Sequence, residues 1–283
     1  MIKFITPTPL RLLKKCSQQF GCKVYGKLEI YNPTGSHKDR ESEEILRYAE
    51  RNNIQRLGIA STGNAAISLA AYAHINALKC YIFLPKTIAP ERLAQIEAFN
   101  PTVSFSDSYN EAITECNEKS RNEGFLNCNP GARIEKIIGD SNIGTEIAKE
   151  RWTHVVVPTN NGTLLAGIWK GLKKAHRSTT MIAAIAKQTK LAEGIAGFHR
   201  IEEPVLSNTI HESGGSIVEI SDYEISKAAQ LLASDGLIVE GAAAASIAAL
   251  GHIKPKSKMC CMITGSGLKF PNSVKELLAK GPP

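Results

Sequence analysis

Short apolar runs alternate along this chain with longer helix-forming segments. The runs at 23–28, 56–60, 79–84, 102–105, 153–157, 180–186 and 259–263 have the length and residue types of strands. Between them, 38–53 is charged and helix-forming, 65–75 is alanine-rich, and 90–99 carries Pro90 near its first turn. Helices are also expected at 109–123, 163–176, 222–234 and 241–250, with Asp222 as the cap of the third of these. The patch at 127–142 is rich in Asn, Gly and Asp and reads as a crossing between two lobes, whereas the segment around 194–215 shows no clear pattern. Strand–helix alternation of this kind predicts an α/β fold with parallel layers. There is no internal repeat and no low-complexity linker.

Composition narrows the function classes. A chain of 283 residues can bury about 75% of its unfolded surface, so core size is no obstacle. The net charge of +7 favours anionic ligands, but the basic residues are dispersed, aromatic content is 6%, and no nucleic-acid motif appears. Nucleic acid is therefore not an expected partner. Met1-Ile2-Lys3-Phe4 opens no apolar run followed by a cleavage site, so a secretory leader is not expected, and the greasiest stretch, 242–250, is far too short to span a membrane. The cysteine count is seven, an odd number with no CxxC pair, so neither a zinc ribbon nor a disulfide scaffold is expected, and no metal site is expected elsewhere. Reduced thiols in a cytoplasmic protein fit best.

The chemistry-bearing segments share one design. Asn32-Pro33-Thr34-Gly35-Ser36-His37-Lys38-Asp39-Arg40 puts a lysine at a loop-to-helix junction, where backbone N–H groups gather anions; alone, Lys38 could equally be a solvated charge at a helix start. Ser61-Thr62-Gly63-Asn64 stands between a strand and a helix, a place for a carboxylate or a plain capping turn. Asn160-Asn161-Gly162-Thr163 repeats the arrangement after 153–157. Small residues and a hydroxyl there suit a phosphate, and an Asn-rich turn is the alternative. Thr264-Gly265-Ser266-Gly267-Leu268-Lys269 follows the last strand. As a dinucleotide signal it is weak, because Phe270 stands where a third glycine belongs.

Taken in order, and with Thr8-Pro9-Leu10 near the start, these segments resemble the fold type II pyridoxal-phosphate enzymes over nearly the whole chain. The wording is most similar to threonine synthases, then to cysteine synthases and serine/threonine dehydratases. Ile168-Trp169-Lys170-Gly171 adds to the threonine-synthase likeness. The resemblance implies two doubly wound lobes of the tryptophan synthase β-like fold, with pyridoxal 5'-phosphate in the cleft between them. The large lobe would comprise 1–40 and 145–283, and a smaller inserted lobe 41–144.

It further implies that Lys38 is the catalytic Schiff-base lysine. Asn64 would touch the cofactor's phenolic oxygen. Asn160, Asn161, Gly162 and Thr163 would hold its phosphate, and Thr264 its pyridine nitrogen. Ser61, Thr62, Gly63 and Asn64 would bind the substrate carboxylate. A hydroxyl at the ring nitrogen keeps the ring neutral, which suits elimination or replacement better than transamination. Glu240-Gly241-Ala242 resembles a segment near the ring, or is simply a buried helix start.

The expected activity is a lyase acting on a small amino acid, O-phosphohomoserine giving threonine and phosphate. A dehydratase or β-replacement enzyme is the enzymatic alternative, and a non-catalytic regulatory protein on the same fold is another. A homodimer is expected. Three departures stand out. Glu41 replaces a common glycine, His37 replaces an apolar aromatic and reads as a structural histidine, and the phosphate loop carries less glycine than usual.

Overall fold

The computed structural model describes residues 5–131, 133–196, 203–254 and 257–279. Met1-Ile2-Lys3-Phe4 lies outside the described residues. The chain divides into two compact units, Met1–Thr6 with Lys38–Gly139, and Pro7–His37 with Asp140–Pro283.

The first unit begins with helix α2 (Lys38–Arg51), numbered after β1 (Leu10–Leu12), α1 (Lys14–Phe20) and β2 (Lys23–Leu28) of the other unit. It continues through β3 (Arg56–Ala60), α3 (Asn64–Ile75), β4 (Lys79–Pro85), α4 (Pro90–Glu97), β5 (Thr102–Ser106), α5 (Tyr109–Glu123) and β6 (Leu126–Asn127). Its four strands pair in the order β5-β4-β3-β6, all parallel. Ala60 and Phe83 from the sheet pack on Ala112 and Cys116 of α5 and on Phe125. Helix α5 has both ends fixed locally. The Ser108 hydroxyl accepts the Glu111 N–H at 3.2 Å, and Gly124 closes the helix at φ +68°.

The boundary between the units falls within α6 (Glu135–Ile147). The second unit then runs through β7 (His154–Pro158), α7 (Thr163–Lys174), β8 (Thr180–Ile185), α8 (Glu203–Ser213), β9 (Ser216–Glu219), α9 (Asp222–Ser234), α10 (Gly241–Ala248), β10 (Lys258–Ile263) and α11 (Pro271–Leu278). Its strand order is β1-β2-β10-β7-β8-β9, parallel except for β1 against β2. Alternate residues of each central strand point to opposite faces. Val156, Ile182, Ala184, Met259, Cys261 and Ile263 join one core with residues of α1, α9 and α10. Val155, Val157, Met181, Ala183, Cys260 and Met262 join another with residues of α6, α7 and α8. Apolar residues on both faces demand helices on both faces, which makes the sheet doubly wound. The α/β class and the parallel layers are therefore as the sequence predicts.

Two local expectations need correction. The patch at 127–142 is not only a crossing, because its second half belongs to α6. Asn, Asp and Gly are poor helix formers, and what overrides them is close packing. A Cβ at Gly139 would lie 2.2 Å from Arg40 O, and one at Gly144 would lie 2.1 Å from Ile168 O. The cap of α9 is Ser221 rather than Asp222. The Ser221 hydroxyl accepts the Glu224 N–H while the Glu224 carboxylate accepts the Ser221 N–H at 2.8 Å. The Asp222 carboxylate faces another segment instead, where it accepts from the Thr189 hydroxyl and from the Lys190 N–H at 3.0 Å.

Candidate active site

In the larger unit, the carboxyl ends of parallel strands gather three loops at one edge of the sheet. Strands β2, β10 and β7 are adjacent and parallel, so the segments that leave them emerge on the same side. Ligands of open α/β sheets bind at such edges. The loop after β2 carries Asn32 to His37. Glu29, fully buried, anchors its start by accepting from the Thr8 hydroxyl and the Asn32 amide, each at 2.7 Å. Lys27 is buried below, donating to Thr8 O at 2.7 Å and paired with Glu146. The other end of the loop is zipped to the segment after β10. Ser36 bridges Gly265, the Ser266 N–H donates to Gly35 O at 2.9 Å, and the His37 N–H donates to Thr264 O at 2.9 Å.

Thr264 is buried directly after β10. On its far side Val239 bridges Ser266, and the Glu240 N–H donates to Gly265 O at 3.2 Å. The Glu240 carboxylate lies over Gly265 so closely that a Cβ there would stand 1.8 Å from Oε1. His37 is half-buried with Nδ1 3.4 Å from Thr264 O, in keeping with a structural histidine.

The loop after β7 holds Asn160, Asn161, Gly162 and Thr163. Gly162 caps α7 at φ +93°, a left-handed conformation that favours glycine. A Cβ on it would fall 2.9 Å from the Leu206 Cβ. The Asn161 amide oxygen accepts from the Thr163 N–H at 3.3 Å and the Thr163 hydroxyl at 3.1 Å, and Asn160 Nδ2 donates weakly to Ala196 O at 3.4 Å. Asparagine thus supplies the turn that extra glycine would otherwise make.

In the smaller unit, Lys38 opens α2 and Ser61-Thr62-Gly63-Asn64 joins β3 to α3. Gly63 caps α3 without any side-chain bond to the helix start. The Ser61 hydroxyl accepts the Gly63 N–H at 3.4 Å. Lys38, Glu41, Ser42, Ile45, Ile59, Ala65, Leu69 and Lys136 line one small cavity. Within it Lys38 Nζ is ion-paired with the Glu41 carboxylate, and Lys136 Nζ lies 4.0 Å from the same carboxylate.

Two residues here escaped the sequence reading. Lys136 sits in α6, hidden in the patch read as a crossing. Tyr109 opens α5, and its hydroxyl donates to Ala60 O at 3.2 Å, just before the Ser61 loop. Burial raises the Tyr109 phenol above its ordinary range, against the lowering influence of the Lys38 charge. Neither carries a sequence signal, since both are ordinary helix residues.

The chemistry of these donors fits pyridoxal phosphate. A primary amine at a helix start is present for the aldehyde. A glycine-capped helix start with a neighbouring hydroxyl suits the phosphate. The hydroxyl of Ser36 is fully buried and has no hydrogen-bond partner among the described residues, and neither has Asn160 Oδ1. Buried polar atoms left unpaired are costly, and a polar ligand at this edge is one way to satisfy them.

Comparison with known proteins agrees with this chemistry. The chain is 30% identical to a threonine synthase of Halalkalibacterium halodurans, across 97% of this chain and 86% of that one. It is 31% identical to a threonine synthase of Methanocaldococcus jannaschii, across 94% and 76%. Among solved structures, maize serine racemase superposes with a TM-score of 0.84 at 18% identity, covering 96% of this chain and 93% of that one. Threonine deaminase isoform 2 of Solanum lycopersicum superposes at 0.81 with 21% identity, covering 96% and 83%. The family model described as pyridoxal-phosphate dependent enzyme matches residues 1–265. With that match added to a lysine at a helix start and a glycine-capped helix start after β7, the chain belongs to the family of pyridoxal-phosphate dependent enzymes.

Proposed function

We propose that this protein is a threonine synthase-like lyase that converts O-phosphohomoserine to threonine and phosphate. The observation that carries the reading is likeness to threonine synthases along almost the entire chain, at 30–31% identity over 94–97% of its length. Bound pyridoxal phosphate supplies an electron sink for the charge left when a substrate Cα proton departs. Every other part of the reaction falls to the chain's own residues. Lys38 would hold the cofactor through its amine, and the same amine would serve as the base for the substrate Cα proton. The backbone of Ser61, Thr62 and Gly63 holds the substrate carboxylate at the open start of α3, and Asn64 meets the cofactor's phenolic oxygen. Asn160, Asn161, Gly162 and Thr163 hold the cofactor phosphate. Thr264 offers an uncharged hydroxyl to the ring nitrogen, which favours loss of a side-chain group over transamination.

The smaller unit is proposed as the inserted lobe and the larger as the cofactor-binding lobe. The same reading is of a cytoplasmic homodimer in amino-acid biosynthesis. The odd cysteine count without a CxxC pair fits a reducing compartment, and sedimentation tests the dimer. Among the described residues no helix is long and apolar enough to cross a membrane.

Incubation of the cofactor-loaded protein with O-phosphohomoserine tests the activity directly. Equal release of phosphate and threonine is expected. Ammonia and a keto acid from serine or threonine, with no phosphate from phosphohomoserine, would replace the proposal with a dehydratase. Sulfide capture onto O-acetylserine would replace it with a β-replacement enzyme. Inertness toward all of them despite bound cofactor would mark a non-catalytic protein.

A further inference from the structure

The cavity beside Lys38 contains a carboxylate that the proposed chemistry leaves unused. Glu41 lies one helical turn beyond Lys38, so the two side chains emerge on the same face of α2. Glu41 is 2% exposed, which is unusual for a carboxylate. It makes an ion pair with Lys38 Nζ through Oε1, and its Oε2 lies 4.0 Å from Lys136 Nζ. Lys136 is itself buried, at 4% exposure. The buried Glu41 carboxylate thus lies beside the amines of two lysines. Tyr109 on α5 is a titratable group that senses Lys38. The lining is otherwise apolar or hydroxylic: Ser42 and Ile45 on α2, Ile59 on β3, and Ala65 and Leu69 on α3.

We infer that Glu41 is a positioning residue for Lys38, a fixed counter-ion that holds the lysine ammonium whenever the lysine is not joined to the cofactor. This deepens the proposed function and rests on its assignment of Lys38. A lysine released during turnover sits on a flexible four-carbon stem and would otherwise sample many rotamers. The Glu41 carboxylate restricts it to one direction. By favouring the ammonium it also limits how much Lys38 is present as free amine. Lys136 moderates that bias, because it shares the same carboxylate.

The inference can be read without turnover. Wild-type apoprotein and the Glu41→Gln and Glu41→Asp variants are treated at neutral pH with formaldehyde and cyanoborohydride. Methylation of the peptide containing Lys38 is then followed by mass spectrometry. Only the amine form reacts. Loss of the ion-pair partner should free the amine and speed modification of Lys38 in Glu41→Gln by about tenfold, the factor that roughly 1.4 kcal/mol of lost interaction gives. Exposed lysines such as Lys86 serve as internal standards and should not change. Glu41→Asp keeps the charge and should stay nearer to wild type.

If Glu41→Gln is destabilised by loss of the contact with Lys136, the double variant Glu41→Gln with Lys136→Met removes that buried charge and should still show faster labelling. Lys38 labelling within twofold of wild type in a folded Glu41→Gln or double variant overturns the inference. Borohydride fixation of pyridoxal phosphate on wild-type protein runs alongside. Fixation at a residue other than Lys38 overturns the parent assignment, and the role of the pair with it, by a result plainly different from unchanged labelling.

Discussion

Replacing Gly144 with alanine should push apart two helices whose backbones touch. Helix α6 crosses α7 where Gly144 faces Ile168 and Gly171. An added Cβ would stand 2.1 Å from Ile168 O and 2.9 Å from Gly171 Cα, and one on Gly171 would stand 2.1 Å from Ser141 O. All these neighbours are backbone atoms, so no side chain can rotate out of the way. In an isolated helix the same substitution would help, by about 1 kcal/mol. Overpacking a filled interior costs about 1–3 kcal/mol even where side chains yield. Here the nearest contact is roughly 1 Å too short for van der Waals packing, so the helices themselves must part and the cost lies at the upper end.

The net effect should be a loss of about 2 kcal/mol, which lowers the melting temperature by about 4–8 °C in a protein of this size. Calorimetry of wild type and Gly144→Ala reads it directly. Gly251→Ala is the control, because its added Cβ meets nothing within 4 Å. Since α7 begins with the glycine-capped loop at Gly162, pyridoxal-phosphate affinity should fall in Gly144→Ala as well. A melting temperature at or above wild type would refute close backbone contact between α6 and α7.

Three further outcomes are expected. Lys38→Ala should abolish turnover and borohydride fixation while the protein still binds the cofactor; fixation persisting in that variant would reassign the lysine. Gly162→Val places a branched side chain at φ +93° against Leu206 and should weaken pyridoxal-phosphate affinity at least about tenfold, roughly 1.4 kcal/mol, with unchanged affinity in a folded variant moving the phosphate site to another loop. Burial, the largest cause in each case, pushes the thiol of Cys128 up to about 11 and that of Cys116 up to about 12, from an ordinary 9.0. The folded state therefore holds these protons more tightly than the unfolded chain. The stabilisation is complete below pH 9 and is lost as the pH rises from 9 toward 11, so the melting temperature should drop across that window, and less steeply in Cys128→Ala.

Local rules carried much of this protein. Strand and helix positions followed from apolar runs and helix-forming stretches, because a strand buried on both faces needs an unbroken apolar run and helix starts need small or hydroxyl residues. The placement of Lys38 at the start of α2, of Ser61-Thr62-Gly63-Asn64 and Asn160-Asn161-Gly162-Thr163 between a strand and a helix, and of Thr264 directly after β10 could all be read from residue types in sequence, whereas the choice of Gly63 and Gly162 as the capping residues could not. Tertiary structure decided what depends on distant neighbours. Helix α6 forms against its own propensities because Gly139 and Gly144 let backbones meet. The cap of α9 passed to Ser221 because Asp222 found Thr189 and Lys190 instead. The strand order put β10 between β2 and β7, which sets Thr264 and the Gly162 loop on one edge although about a hundred residues separate them. The pairing of Glu41 with Lys38 and Lys136 belongs to the same class. A charged residue in a charged helix reads as solvated until folding buries it, and only then does its partner matter.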